Sequence, residues 1–358
     1  MNMQGVDNEI SLDMARTLAQ VRRTKTRAPA RVVFMGYQTW GVRTLSALLE
    51  AGHQVVLVVT HPPSDHPYER IWNESVQALA KCHLIPVHEC VRANSAQLLE
   101  RCALLEPDLF VLSDWRTWLD SGVYRTARFG GINIHDALLP RYGGFAPLNW
   151  AIANGESEVG VTVHQLSELL DLGDIIAQRS VAVGPDDTAT DLFFRTLPLF
   201  GTLAVEAVEL IMTGRAQPVA QDAGAATFFH KRTARECSID WQRSASEIHN
   251  LVRAQSPPYP SAFTAYRGRP LKLLSTRFSQ RAYRGTPGRL CCREADGVVV
   301  VTGGAAPPAL VLRTVCEADG APIAANDYFR QLGEYFDPIP SEWYRTHSRA
   351  PQAEASVL

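Results

Sequence analysis

The 358-residue sequence lacks the markers of several common classes. It has no C-x-x-C pair, no G-x-S-x-G elbow, no H-E-x-x-H and no G-x-x-x-x-G-K-[ST], so redox dithiol, serine hydrolase, zincin and P-loop chemistries lose their usual anchors. No apolar run approaches the roughly 18 residues a membrane span needs. A charge excess is also missing: 35 Lys plus Arg stand against 37 Asp plus Glu, a formal net charge of -2. Nothing global pulls such a chain toward a phosphate backbone or an anionic lipid surface, and a nucleic-acid partner would need a local basic patch. The seven cysteines, at 82, 90, 102, 237, 291, 292 and 316, are odd in number, and the N-terminus has no apolar signal core. Reduced thiols and a soluble, cytoplasmic protein are expected.

What is present suffices for folded cores: 46% apolar residues, 20% charged, with 7 Trp, 10 Tyr and 13 Phe. The length predicts two packed units. Residues 1–30 are polar, with Arg16, Arg22, Arg23, Lys25 and Arg27 interrupted by Asp7, Glu9 and Asp13, and read as a tail rather than a transit peptide. From Arg31 to Ser113 apolar β-branched runs alternate with helical spacing. That repetition predicts an α/β fold with a Rossmann-like, mostly parallel sheet, whose ligands gather at the carboxyl ends of the strands. The first turn, Gly36-Tyr-Gln-Thr-Trp-Gly41, is not G-x-G-x-x-G, which disfavours a dinucleotide. Residues 31–215 form this first domain. Residues 216–232, rich in Ala, Gln, Pro and Gly, read as a linker. Then Ser244-Ala-Ser-Glu247 opens a helix and five short strand-like runs follow. Residues 233–342 are expected to form a smaller OB-like β-barrel, and 343–358 a tail.

Cys82, His83, His88 and Cys90 are metal-ligand types, but a strand through them sends neighbours to opposite faces, so no metal site is expected. The informative stretch is Gly131-Ile-Asn133-Ile-His135-Asp-Ala-Leu-Leu-Pro140-Arg-Tyr-Gly-Gly-Phe-Ala-Pro147. On a strand, Asn133 and His135 project from one face. Leu169-Leu-Asp171-Leu-Gly173 adds a carboxylate in a loop. An amide to hold an oxyanion, an imidazole to relay a proton and a carboxylate to orient it suit acyl transfer; structural roles at a strand end and in a turn suit the same residues.

The combination of Asn133-Ile-His135, Leu138-Leu-Pro140, Gly160-Val-Thr162 and Asp171-Leu-Gly173 resembles the 10-formyltetrahydrofolate-dependent formyltransferase family, in particular its methionyl-tRNA branch. Ile239-Asp-Trp241, Val252-Arg253-Ala254 and Pro258-Tyr-Pro260 continue the likeness, which covers about residues 31–335. The resemblance implies a neutral amine attacking the formyl carbon of 10-formyltetrahydrofolate, with Asn133, His135 and Asp171 as the catalytic set. It also implies a folate site near Asp114, Trp115, Leu138, Leu139 and Pro140, where Trp115 and the leucines could equally be core.

Which amine is read from three departures. The loop His61 to Trp72 is short, aromatic and not basic, Gly143 replaces an Arg usual in the tRNA branch, and the net charge is slightly negative. Phe34 to Gly41, Val59 to His66 and Tyr142 to Pro147 resemble formyltransferases of hydroxamate siderophore pathways, which implies N5-hydroxyornithine as the preferred substrate. For such an amino acid, Asp65, Glu69 or Asp136 are candidates for its ammonium, Arg141 for its carboxylate, and Tyr37 and Trp40 for other substrate contacts; ordinary loop charges and loop packing account for the same residues. The alternatives are methionyl-tRNA, a nucleotide-linked amino sugar, and a non-catalytic folate- or RNA-binding protein. The sequence leaves the oligomeric state open.

Overall fold

The computed structural model describes residues 29–64, 67–304, 309–318 and 320–346. The polar tail before residue 29, Asp65 and His66, and the last residues after 346 lie outside that set.

Seven strands form the first sheet. In chain order the elements are β1 (Arg31–Gly36), α1 (Gln38–Glu50), β2 (Gln54–Thr60), α2 (Val76–Cys82), β3 (Val87–Glu89), α3 (Ala96–Leu104), β4 (Leu109–Ser113), α4 (Ser121–Tyr124) and β5 (Gly131–His135). They continue with β6 (Gly143–Gly144), α5 (Pro147–Ala153), β7 (Glu158–Gln165), β8 (Ile175–Ala182) and α6 (Ala189–Met212). The sheet order is β3-β2-β1-β4-β5-β7-β8. The first five strands run parallel, and β5-β7 and β7-β8 are antiparallel. Both faces are covered, which is why β1 and β4 read as continuous apolar runs: Val32, Val33, Phe34 and Met35 are fully buried, as are Leu109, Phe110 and Val111. One face packs on α1 and α6 through Leu45, Leu48, Phe200 and Leu203; the other packs on α3 and α4 through Leu98, Cys102 and Val123. Helix starts follow the sequence: Ser75 and Ser95 accept from the third backbone N–H of α2 and α3, and Thr188 with Asp191 forms a reciprocal capping box.

The chain order reverses between β1 and its two neighbours, β2 on one side and β4 on the other, so the carboxyl ends of β1, β4 and β5 open into one cleft. Chain from Arg215 onward crosses the first domain, contributes the two-residue β9 (Phe228–Phe229) paired with β6, and enters the second domain. That domain holds α7 (Ala245–Ala254) and the antiparallel strands β10 (Ala262–Tyr266), β11 (Arg269–Phe278), β12 (Leu290–Glu294), β13 (Gly297–Val300) and β14 (Leu310–Glu317), with β15 (Ile323–Ala324) beside β14. Its path runs β10-β11-β14-β13-β12, and residues 333–337 bond to both ends: Leu290 N–H to the Glu334 carbonyl, Phe336 N–H to that of Gly288, Asp337 N–H to that of Ala265. The sheet thereby curls into a small barrel over Trp241, Ile248, Leu273 and Phe329. Helix α7 joins the domains, since Asn149 Nδ2 donates to the Ala254 carbonyl at 2.7 Å and Arg253 donates to the carbonyls of Gly184 and Asp187.

Candidate active site

Strand β5 delivers Asn133 and His135 to one face at its carboxyl end. Its antiparallel neighbour β7 sets the register: Asn133 faces His164 and His135 faces Thr162. Directly opposed residues share a face and sit close. Asn133 Nδ2 is 3.2 Å from His164 Nε2, and His164 Nδ1 is 2.9 Å from the Gln165 carbonyl. The carbonyl requires a proton on Nδ1, so Nε2 is the acceptor and Asn133 the donor. One amide N–H is thereby fixed, and the other remains for the cleft. Burial, reinforced by the nearby His135 and only partly offset by Asp171, pushes the His164 pKa down to about 4.

Asp171 comes from the loop between β7 and β8 and lies between the two imidazoles. Its Oδ2 is 3.9 Å from His135 Nδ1 and its Oδ1 is 3.7 Å from His164 Nε2, both beyond direct hydrogen-bond range. Oδ2 accepts the Gly144 N–H at 2.8 Å. His135 Nε2 donates to the Tyr142 carbonyl at 2.9 Å, which leaves Nδ1 unprotonated in the neutral ring and facing the carboxylate. A proton taken up on Nδ1 would meet a negative charge. Asp171 itself has φ 53°, a left-handed conformation that a non-glycine residue holds only against local strain. The glycine two residues on has a packing reason: a Cβ on Gly173 would lie 1.8 Å from the Gln165 carbonyl oxygen.

The loop after His135 is set by β7 and β8. Thr162 Oγ1 donates to the Ala137 carbonyl and accepts from Leu139 N–H, and Gln178 Nε2 donates to the Leu139 carbonyl. Leu139 is consequently 3% exposed and packed inside, whereas Leu138 and Pro140 are half-buried.

A second polar cluster lines the ends of β1, β2 and β4. Arg116 pairs with Glu69 at 2.7 Å and Asp114 at 3.1 Å and donates to Gln38. His61 accepts the Arg116 N–H on Nε2, stacks on Trp115 with centroids 4.0 Å apart, and meets the edge of Tyr37. Burial first, and then Glu69, raise the Asp114 pKa against the lowering effect of Arg116. Trp115 Nε1 is buried without a hydrogen-bond partner, a donor available to a ligand. Asp136, next to His135, is pushed up to about 6 by burial, despite the Thr196 and Trp40 side chains and the His135 ring.

Of the residues the sequence nominates, Asn133, His135 and Asp171 converge, and Tyr37, Glu69, Asp114 and Trp115 gather at the neighbouring strand ends. Trp40 sits on α1 against Phe193, and Leu139 is interior packing. Arg141 pairs with Glu156 and lies along the Tyr142 ring, so its charge is already matched there. Asp65 lies outside the described residues. Sequence reading passed over His164, Arg116 and Gln221. His164 was within reach, because β7 opposes β5 and both alternate; Arg116 and Gln221 become visible only once the loops are placed. Among the described residues no group of three or more His, Cys, Asp or Glu is arranged to hold a metal ion.

A family model described as formyl transferase matches residues 30–208, and one described as formyl transferase, C-terminal domain, matches 231–333. The chain belongs to the formyl transferase family. Solved structures with this fold include HypX from Aquifex aeolicus in complex with tetrahydrofolic acid, at 19% identity and TM-score 0.54, covering 87% of this chain and 49% of that one. The chain thus spans about half the length of HypX. An N-formyltransferase from Helicobacter canadensis, in complex with folinic acid and dTDP-3-aminofucose, is 18% identical with TM-score 0.59, covering 79% of this chain and 98% of that one. WlaRD, a sugar 3N-formyl transferase, is 19% identical with TM-score 0.55 over 80% and 98%. At these identities the likeness establishes the fold alone.

Proposed function

We propose that this formyl transferase moves the formyl group of 10-formyltetrahydrofolate to a small-molecule amine, with N5-hydroxyornithine the preferred acceptor. The observation that carries the transfer reading is the convergence of Asn133, His135 and Asp171 at the carboxyl end of β5. Asn133, held by His164 through one N–H, presents the other to the oxygen that gains charge as the amine attacks. His135 takes the proton the nitrogen sheds, on the atom facing Asp171, and the carboxylate balances the imidazolium. The oxyanion then collapses, the bond from the formyl carbon to the folate nitrogen breaks as that nitrogen takes up the proton held by His135, and tetrahydrofolate leaves. The folate ring system is assigned to the wall formed by Trp115, Asp114 and the 138–140 loop, where the unpartnered Trp115 N–H supports the fit.

The acceptor reading rests on charge. Glu69 and Asp114 flank the Arg116 guanidinium, and Asp136 adds a carboxylate beside Trp40 and Thr196, an acidic balance that favours a compact cation over a pyrophosphate or a tRNA backbone. A hydroxylamine nitrogen is neutral near pH 7 and needs no prior deprotonation. A nucleotide-linked amino sugar is the second reading, favoured by the dTDP-3-aminofucose bound to the Helicobacter canadensis N-formyltransferase.

The test supplies 10-formyltetrahydrofolate with N5-hydroxyornithine, ornithine, a nucleotide-linked amino sugar and methionyl-tRNA, and weighs the formylated product by mass spectrometry. Formyl transfer to hydroxyornithine is expected. Transfer to the sugar or the tRNA alone would overturn the acceptor assignment.

A further inference from the structure

The segment between the two domains does more than connect them. Gln221 Nε2 donates to the carbonyls of both Asp171, at 2.8 Å, and Gly173, at 2.7 Å. The carboxamide oxygen of Gln221 is buried without a partner, so the two carbonyls are what its side chain serves. Six residues on, Thr227 Oγ1 accepts the Tyr142 N–H at 2.9 Å, and the Thr227 carbonyl accepts the Gly143 N–H at 2.8 Å. Phe228 and Phe229 then pair in parallel with Gly143 and Gly144, and the Phe229 ring stacks on Tyr142 at 4.8 Å.

Each anchored group holds one side of the proposed proton relay. The Tyr142 peptide offers its carbonyl to His135 Nε2, and Gly144 offers its N–H to Asp171 Oδ2. The left-handed Asp171 backbone is pinned by Gln221. Gly144 admits no substitute, because at φ 90° a Cβ would come 2.4 Å from the Phe229 carbonyl oxygen. A geometry held within half an ångström on loop residues needs such supports. Past Phe229 the chain enters the barrel, where Ile239 N–H bonds the Phe263 carbonyl, so the same segment is fixed at its far end to the second domain.

We propose that residues 219–229 are a positioning strap, in which Gln221 and Thr227 set the placement of Asp171 and His135, so that the second domain holds the reacting groups in register. The proposal deepens the formyl-transfer reading and rests on it. Both residues act through backbone groups of Tyr142, Asp171 and Gly173. Gln221→Leu and Thr227→Val are expected to lower kcat about 10-fold or more, with KM for donor and acceptor within about twofold, while Thr227→Ser keeps most of the parent rate because its hydroxyl still accepts from Tyr142. Unchanged kcat in both disruptive variants, or equal loss in Thr227→Ser and Thr227→Val, overturns it. A readout independent of turnover is the ring nitrogen signals of histidine-labelled protein, with the His135 pair identified by its loss in His135→Asn. The Nε2–H tautomer is expected in the parent and in Thr227→Ser, and a mixture in Thr227→Val; the parent tautomer kept in Thr227→Val also overturns the strap. A parent that formylates no amine would defeat the functional reading alone, and the ring signals would still decide the strap.

Discussion

Asn133 and His164 face each other across β5 and β7, with the amide nitrogen 3.2 Å from an imidazole nitrogen that can only accept. His164 is thus a positioning residue for the amide assigned to the oxyanion. His164→Leu removes the acceptor and lets the amide turn. A loss of kcat of about 10- to 100-fold is expected, with smaller change in KM, by analogy with the removal of one oxyanion donor. Steady-state kinetics of the variant check this, and parental kcat would contradict it.

The same histidine predicts an acid sensitivity of the fold. Its pKa falls from the ordinary 6.5 to about 4 because burial penalises the charged ring first. The unfolded chain therefore binds a proton that the folded one refuses between those values, and stability falls as pH drops from about 6.5 to about 4. In His164→Gln that part of the slope disappears. Thermal unfolding of parent and variant between pH 4 and 7 measures it, and parallel curves would count against the assignment.

The proposed relay makes a sharper demand at Asp171. Asp171→Asn keeps an oxygen for the Gly144 N–H, so the loop is retained while the charge facing His135 is lost. The expected result is a fall in kcat of at least about 100-fold with an unfolding midpoint close to the parent, since the imidazolium loses its counter-charge. Full turnover in this variant would remove the relay.

How far the sequence discloses this arrangement depends on distance along the chain. Alternation on β5 places Asn133 and His135 on one face without any structure, and buried β-branched runs give the parallel sheet. Asp171 needs the family motif, because 35 or so intervening residues carry no local signal for its approach. Residues 216–232 read as a linker because they lack periodicity; their bonds go to backbone groups of Tyr142, Gly143, Asp171 and Gly173, and side chain to backbone bonds leave no pattern in a sequence. Arg141 lies next to the motif, yet Glu156 holds it, while Arg116 reaches Glu69 across two loops.

Asp136 ties stability to the acceptor site. Burial raises its pKa from 3.8 to about 6, so ionising it disfavours the folded state: the penalty is full above about pH 6 and gone below about pH 3.8. Asp136→Asn is isosteric and uncharged, and its unfolding midpoint is expected to exceed the parent's at pH 7.5, with the gain shrinking toward pH 4. In the proposed reaction the same carboxylate faces the acceptor's ammonium, so the variant should lose affinity for hydroxyornithine, reading as a KM raised about 10-fold with the folate KM unchanged. A carboxylate that is only structural would give the stability gain without the KM change. A carboxylate held for binding gives both, because a charge kept in a buried place at a cost to folding is the common signature of a site that awaits its counter-charge.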